Sequence, residues 1–421
     1  MTDIAKAPLD AINSLDMAIL QDPHPYMERL RKEAPVYRDP HTGFVSVATF
    51  DLIREVCAQP NRFSNGFSEV LRKGARQEID PEEQAAQNAL IPGVETLLTA
   101  DPPVHTRYRK LAMKAFTMKR VEAMSPHVSA VVEELACTVA PLGTCEFKSA
   151  FANHLPMIVI ADALGVPRSD MDMFRIWSDA FITRMNGLAG KEARVGAAGR
   201  IGEYQQYFLE RIAEKRTAPT DDVISDLVHA DLSEDGDARK MTDAELLSIF
   251  QQLLVAGNET TAHSLTAGMF YLISNPGLED LLRSQPAIVP NFVEETLRYL
   301  SPTNNMYRVA TEDCEIGGVP VNKGDLILLR YGSGNRDNAV FADGDRFDVR
   351  RENAKEHLAF GAGIHHCIGA QLARREMTIA WPILLRRMHD FRFAAGRNSF
   401  MYLPTILMRG VSELHIAYQA S

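Results

Sequence analysis

Apolar and polar positions along the chain follow a mostly helical period. Residues 24–33 (HPYMERLRKE) predict a short amphipathic helix. Pro35–Arg38 and Gly43–Val47 predict two strands around an Asp-Pro-His-Thr-Gly turn. From about 105 to 285 the pattern favours helix, over 105–116, 119–140, 150–164, 168–186, 198–216, 222–230 and 242–274. The last of these is long and apolar on several faces, which predicts a buried central helix. Strand signals return over 306–331, punctuated by Gly317-Gly318 and Asn322-Lys323-Gly324, and again around 390–395 and 411–418. No repeat period, low-complexity tract or linker divides the chain. The pattern predicts a single large domain over 1–421, mainly α with a minor β portion. Its β-rich parts are expected at about 35–47, 306–331 and 390–418, and its helical core at about 105–300 and 367–386.

Composition narrows the function. The 421 residues carry 45 Lys and Arg against 55 Asp and Glu, a net charge of −10. A nucleic-acid binder needs a basic surface to replace counterions on phosphate, so no nucleic-acid partner is expected. Hydrophobic residues at 46% and charged residues at 24% are globular values and exclude bulk disorder. The five cysteines, Cys57, Cys137, Cys145, Cys314 and Cys367, are scattered and form no CxxC, against a disulfide scaffold, structural zinc or an iron–sulfur cluster. The first 20 residues lack the apolar run of a signal peptide or membrane anchor, so a cytoplasmic protein with no membrane partner is expected.

Candidate chemistry concentrates in FGAGIHHCIGAQLARRE, residues 360–376. Gly361, Gly363 and Gly369 crowd Cys367, and such glycines let backbone turn tightly and approach a flat ligand. The sequence turns helical after the cysteine, which predicts a sulfur at a helix N-terminus, where N–H groups and the dipole favour thiolate. A lone cysteine is ordinarily a small buried apolar residue. The full run F-G-x-G-x-H-x-C-x-G points elsewhere, because at every fixed position it resembles the haem-binding signature of the cytochromes P450. That resemblance implies the P450 fold around a buried haem b (iron protoporphyrin IX). Cys367 would be the axial thiolate on iron, Phe360 would pack on the sulfur side, His365 would donate to a propionate, and Gly369 would lie against the cofactor. His366 stands where many relatives have Arg. A thiolate pushes electron density onto iron and favours O–O cleavage.

Further marks lie in the family's order, over nearly the whole chain. Glu295 and Arg298, at i, i+3 in FVEETLRYLSP, match the E-x-x-R pair; on a surface such a pair would contribute little. The resemblance makes the pair buried and adds Arg336 of GNRD as third partner. His105 and Arg109, at i, i+4 in DPPVHTRYRKLAMKAF, face one way and suit a dicarboxylate, though an ordinary basic face reads equally well. The resemblance gives both to the haem propionates, with Arg308 and His365. In LLVAGNETTAHS, residues 253–264, Gly257 costs helix stability of about 1 kcal/mol against Ala, and with Ala256 leaves room for a small ligand. Thr260 can reach back to the carbonyl of residue 256, and a buried Glu259 needs a polar task. The family uses this stretch as an oxygen-binding groove in which the acid and alcohol deliver protons. Asn258-Glu259-Thr260 also fits a glycosylation sequon, which a buried helix makes idle. Pro382 departs from the family pattern and is expected to kink or end the helix after Cys367 early.

The resemblance implies a monooxygenase that inserts one oxygen atom from O2 into a mainly apolar small organic substrate. A haem sensor or ligand-binding protein is the alternative from another class, but it needs no Glu259–Thr260 relay. A peroxide-driven relative commonly lacks that pair too. A nicotinamide enzyme is excluded, because Gly361-Ala-Gly363 lacks the third glycine and no βαβ unit surrounds it. Substrate-pocket candidates, by family position, are Leu90, Ile91, Val94, Leu97, Leu98, Phe181, Met185, Val255, Asn304, Asn305, Met306 and the Phe400–Leu403 segment with Met401. Arg72, Arg76 or Arg184 could hold a substrate carboxylate. The chain carries no flavin or nicotinamide fingerprint, so electrons from NAD(P)H are expected through a separate reductase and an acidic ferredoxin. That ferredoxin would dock on Arg107, Lys110, Lys114, Arg374 and Arg375 of a monomer.

Overall fold

A computed structural model describes residue 4 and residues 6–68, 80–185, 189–232 and 239–421. Its contacts group into two compact units, one of residues 1–67, 121–155 and 260–421, the other of residues 68–120 and 156–259.

The first unit carries all the strands among the described residues. β1 (Val36–Arg38), β2 (Val45–Val47), β3 (Phe63–Ser64), β5 (Met306–Ala310) and β8 (Leu326–Leu329) form a five-stranded sheet in the order β1-β2-β8-β5-β3. Only β2 and β8 pair in parallel. β4 (Thr144–Glu146), β10 (His415–Ala420) and β9 (Met388–Phe393) make an antiparallel three-stranded sheet, and β6 (Cys314–Ile316) pairs with β7 (Val319–Val321). The first two strands lie where the alternation predicts them. Their turn closes because Gly43 takes φ +73° and the buried Asp39 carboxylate accepts the His41 N–H at 2.8 Å. Val36, Val45, Val47, Ile327 and Leu329 bury one apolar layer against Phe50, Ile53 and Val56 of helix Phe50–Cys57.

Two helical expectations are corrected here. The stretch 119–140 is two helices, Met118–Ala123 and Ser125–Val139. Pro126 follows Ser125, so the second helix starts where proline's missing N–H costs nothing. Helix Ala370–Arg387 runs through Pro382 without ending. Pro382 is exposed and Thr378 half-buried, so the carbonyl that loses its partner sits near water.

The second unit is helical. Helices Val104–Met113, Met171–Met185, Lys191–Thr217 and Val223–His229 gather with the first part of the central helix Asp243–Ser274. Phe174, Trp177, Phe181, Tyr204 and Phe208 interlock in its core, with Phe181 edge-on to Tyr204 at 5.0 Å. Tyr108 donates to Glu245 at 2.5 Å, and Arg239 grips the same carboxylate twice at 2.8 Å. No described helix is long and apolar enough to cross a membrane.

Candidate active site

In the first unit the cysteine loop is built by its glycines. Gly361 and Gly363 both take φ +69°, closed to ordinary side chains, and fold the chain into a short 3-10 turn, Gly363–His365. A Cβ on Gly363 would stand 2.2 Å from the backbone oxygen of Cys57. The Cys367 N–H donates to the Phe360 carbonyl at 2.8 Å, which closes the loop. Cys367 is exposed and lies three residues before helix Ala370–Arg387. A Cβ on Gly369 would stand 4.0 Å from its sulfur, so glycine keeps the flank of the sulfur open. This donor set fits a flat macrocycle held by one sulfur, and among the described residues no group of three or more His, Cys, Asp or Glu could hold a bare metal ion.

Arg308 approaches this loop through Cys57. Its guanidinium is buried, lies 4.0 Å from the Cys57 sulfur and donates to the Tyr307 carbonyl at 2.7 Å. The Tyr331 hydroxyl lies 4.0 Å from the same sulfur and flanks Gly361.

Glu295 and Arg298 are both 0% exposed, as the resemblance implies. Arg298 donates through Nε and Nη2 to the carboxylate at 2.7 and 2.8 Å. Its other donors reach the carbonyls of Asn335, Gly344 and Arg346 at 2.6, 2.8 and 3.0 Å, so all five are used. The third partner of Glu295 is Arg351, at 3.3 Å, and not Arg336. Arg336 pairs instead with Asp345 at 3.1 Å and stacks 3.8 Å from the Tyr299 ring. The network reaches the cysteine loop through Asn335, whose Oδ1 accepts the Leu358 N–H at 2.5 Å.

Asn304 and Asn305 are buried. Asn305 donates to the Ile406 carbonyl at 2.5 Å, and both backbone N–H groups bond the Leu407 carbonyl. Tyr402 and Leu403 of the expected segment line one cavity with both asparagines, together with Thr405, Ile406 and Met408. Met401 is 48% exposed, and Phe400 packs on Phe393 and Phe270. Sequence reasoning missed Thr405, Ile406 and Met408, because the Thr303–Met408 bridge is visible only in the fold. Met306 sits in β5 opposite Leu329.

In the second unit, His105 and Arg109 occupy one face of helix Val104–Met113. Burial, aided by the Arg109 charge, pushes the His105 imidazole down to about 4. Leu97 and Val255 pack on the cluster that holds Phe181, and the Leu98 N–H bonds Gln252 at 2.8 Å. The side chain of Met185 lies outside the described residues, as do Arg72 and Arg76.

In the central helix, Ala256 and Gly257 are exposed, and a Cβ on Gly257 would meet nothing within 4 Å. Glu259 and Thr260 follow in this helix, each half-buried as a residue, with the Glu259 Oε2 atom itself buried. Arg374 and Arg375, expected to be docking cations, are engaged by Glu294 and Glu122.

The sequence model of the family described as cytochrome P450 matches residues 171–286 and 284–398. The chain is 33% identical over 392 residues to the steroid C26-monooxygenase of Mycobacterium tuberculosis, covering 93% of this chain and 92% of that protein. It is 36% identical to the cytochrome P450 monooxygenase PikC of Streptomyces venezuelae, covering 99% and 95%. Among solved structures, CYP109E1 from Bacillus megaterium in complex with corticosterone matches with a TM-score of 0.80 at 30% identity, covering 94% of this chain and 98% of that one.

Proposed function

Because the chain belongs to the cytochrome P450 family of haem-thiolate monooxygenases, we propose that Cys367 is its thiolate ligand and haem b its cofactor. Phe360 and Gly369 flank the sulfur. Arg308 and His365 hold propionates, and His105 and Arg109 carry the same assignment. The bound haem supplies dioxygen activation and the insertion of one oxygen atom into the substrate. The chain's part is to keep the sulfur ionised and to move protons. Thr260 passes its Oγ1 proton towards the space left open beside Ala256 and Gly257, and the Glu259 carboxyl resupplies it.

The substrate is a mainly apolar molecule, with steroids the first class to test given the relatives above. It is held mainly by apolar contact; the Asn305 amide nitrogen is used on Ile406, while the buried amide oxygens of Asn304 and Asn305 are left to accept from a polar group. Electrons come from NAD(P)H through a reductase and an acidic ferredoxin. Lys110 and Lys114 are exposed and offer docking cations for it. The protein works as a cytoplasmic monomer.

The observation that carries this reading is an exposed cysteine in a two-glycine loop tied through Asn335 to a fully buried Glu295–Arg298 pair. Turnover under isotopically labelled O2, with ferredoxin, reductase, NADPH and a steroid that perturbs the haem absorbance, tests it. One labelled oxygen atom per product is expected. Haem binding without product would favour the sensor reading, and product only with added peroxide would favour the peroxide-driven one.

A further inference from the structure

Beneath the cysteine loop lies a cluster that the E-x-x-R network does not include. Glu294, the neighbour of Glu295, receives Arg374 through Nε and Nη2 at 2.6 and 3.1 Å. His357 Nε2 stands 3.1 Å from the same carboxylate, and the His357 side chain is 0% exposed. The Ala359 N–H donates to His357 Nδ1 at 3.2 Å, which leaves the ring proton on Nε2, 3.1 Å from Glu294 but without an aligned hydrogen bond to it. Burial pushes the Glu294 carboxyl up, but His357 and Arg374 outweigh it and hold it below the ordinary range. The anion is therefore kept charged, and it anchors the guanidinium.

What it anchors that guanidinium against is the ring of Phe360, whose centroid is 4.5 Å from Arg374 Cζ. The His357 ring borders the same phenyl at 5.6 Å. Phe360 supplies the carbonyl that accepts the Cys367 N–H. A cation fixed by a buried acid thus bears on the residue that clamps the cysteine backbone.

We infer that Arg374, locked by Glu294 and His357 over Phe360, is a positioning residue for the Cys367 thiolate and not a cation that docks the electron donor. The inference rests on the haem-thiolate reading. The guanidinium offsets the Glu294 carboxylate beside the residue that clamps the Cys367 backbone; without it an uncompensated anion would favour the oxidised state and lower the midpoint potential. Arginine is required because it must grip a carboxylate with two donors and cover a ring at once.

The test uses haem-loaded protein with Arg374→Gln, Arg374→Lys and the milder His357→Gln. Arg374→Gln is expected to shift the ferric/ferrous midpoint to a more negative value and to speed conversion of the red-shifted carbon-monoxide band to the neutral-ligand form. Arg374→Lys, which keeps the charge, should restore part of the potential, and His357→Gln should shift both readouts in the same direction by less. The ferredoxin concentration for half-maximal turnover should stay at the wild-type value. An unchanged potential and band with a raised half-saturating ferredoxin concentration would make Arg374 a docking residue and overturn the inference. Should Arg374→Gln not fold, unchanged readouts in His357→Gln overturn it as well. A wild-type protein without the red-shifted band would instead refute the haem-thiolate reading itself.

Discussion

Arg298→Lys keeps the charge of the buried pair and removes its geometry. The wild-type guanidinium spends all five donors, two on Glu295 and three on the carbonyls of Asn335, Gly344 and Arg346. A lysine has three donors on one nitrogen and cannot reach acceptors spread around a plane. Two of the five bonds are then lost in a fully buried place, and the Asn335 and Gly344 carbonyls are the acceptors most exposed to that loss, since the Arg346 carbonyl and Glu295 also accept from Arg351. Each such loss costs about 1–3 kcal/mol, so the expected destabilisation is roughly 2–6 kcal/mol. Glu295 keeps Arg351 and the Asp348 N–H, which stops the cost from reaching that of an isolated buried charge. The damage should be local, because Asn335 also holds the Leu358 N–H at the entry to the cysteine loop. Urea unfolding followed by haem absorbance measures it, with haem lost at lower urea than the helical signal. A variant within about 1 kcal/mol of wild type, losing haem and helix together, would refute the reasoning.

Three further outcomes are expected. Glu376 is fully buried, and burial raises its carboxyl from 4.5 to about 8. It therefore destabilises the fold increasingly as pH rises from about 4.5 to 8, by roughly 5 kcal/mol at about 1.4 kcal/mol per pH unit. Glu376→Gln should then match wild type near pH 4.5 and exceed it by several kcal/mol at pH 8, whereas a pH-independent difference would place the titration elsewhere. Gly363→Ala sets a Cβ at φ +69° and 2.2 Å from the Cys57 carbonyl, so haem content per folded chain should fall several-fold; full loading would show that the loop yields. Thr260→Ala should keep consuming NADPH while product per electron drops, and wild-type coupling would move the relay to other residues.

Much of the site was legible because its information is local. The i, i+3 spacing of Glu295 and Arg298 and the glycine spacing around Cys367 are written within single segments. What was not legible depends on chain ends meeting across long separations. Arg351 reaches Glu295 from a loop 56 residues away, and nothing in Arg350-Arg351 distinguishes it from a solvated basic pair. Cys57 reads as one of five scattered cysteines, yet its carbonyl is what forbids a side chain at Gly363. Arg374 reads as one more surface cation until Glu294 and Phe360 close on it. Pro382 misleads in the opposite sense, since the helix carries it at an exposed position and continues to Arg387.

The central claim, that Cys367 binds haem iron as a thiolate, is tested most directly by the absorbance of the reduced, carbon-monoxide-bound protein. Wild type should show the strongly red-shifted Soret band of thiolate-ligated haem, and Cys367→His should lose that band even where haem is retained. A wild-type band at the position of histidine-ligated haem, or a red-shifted band that survives Cys367→His, would contradict the account.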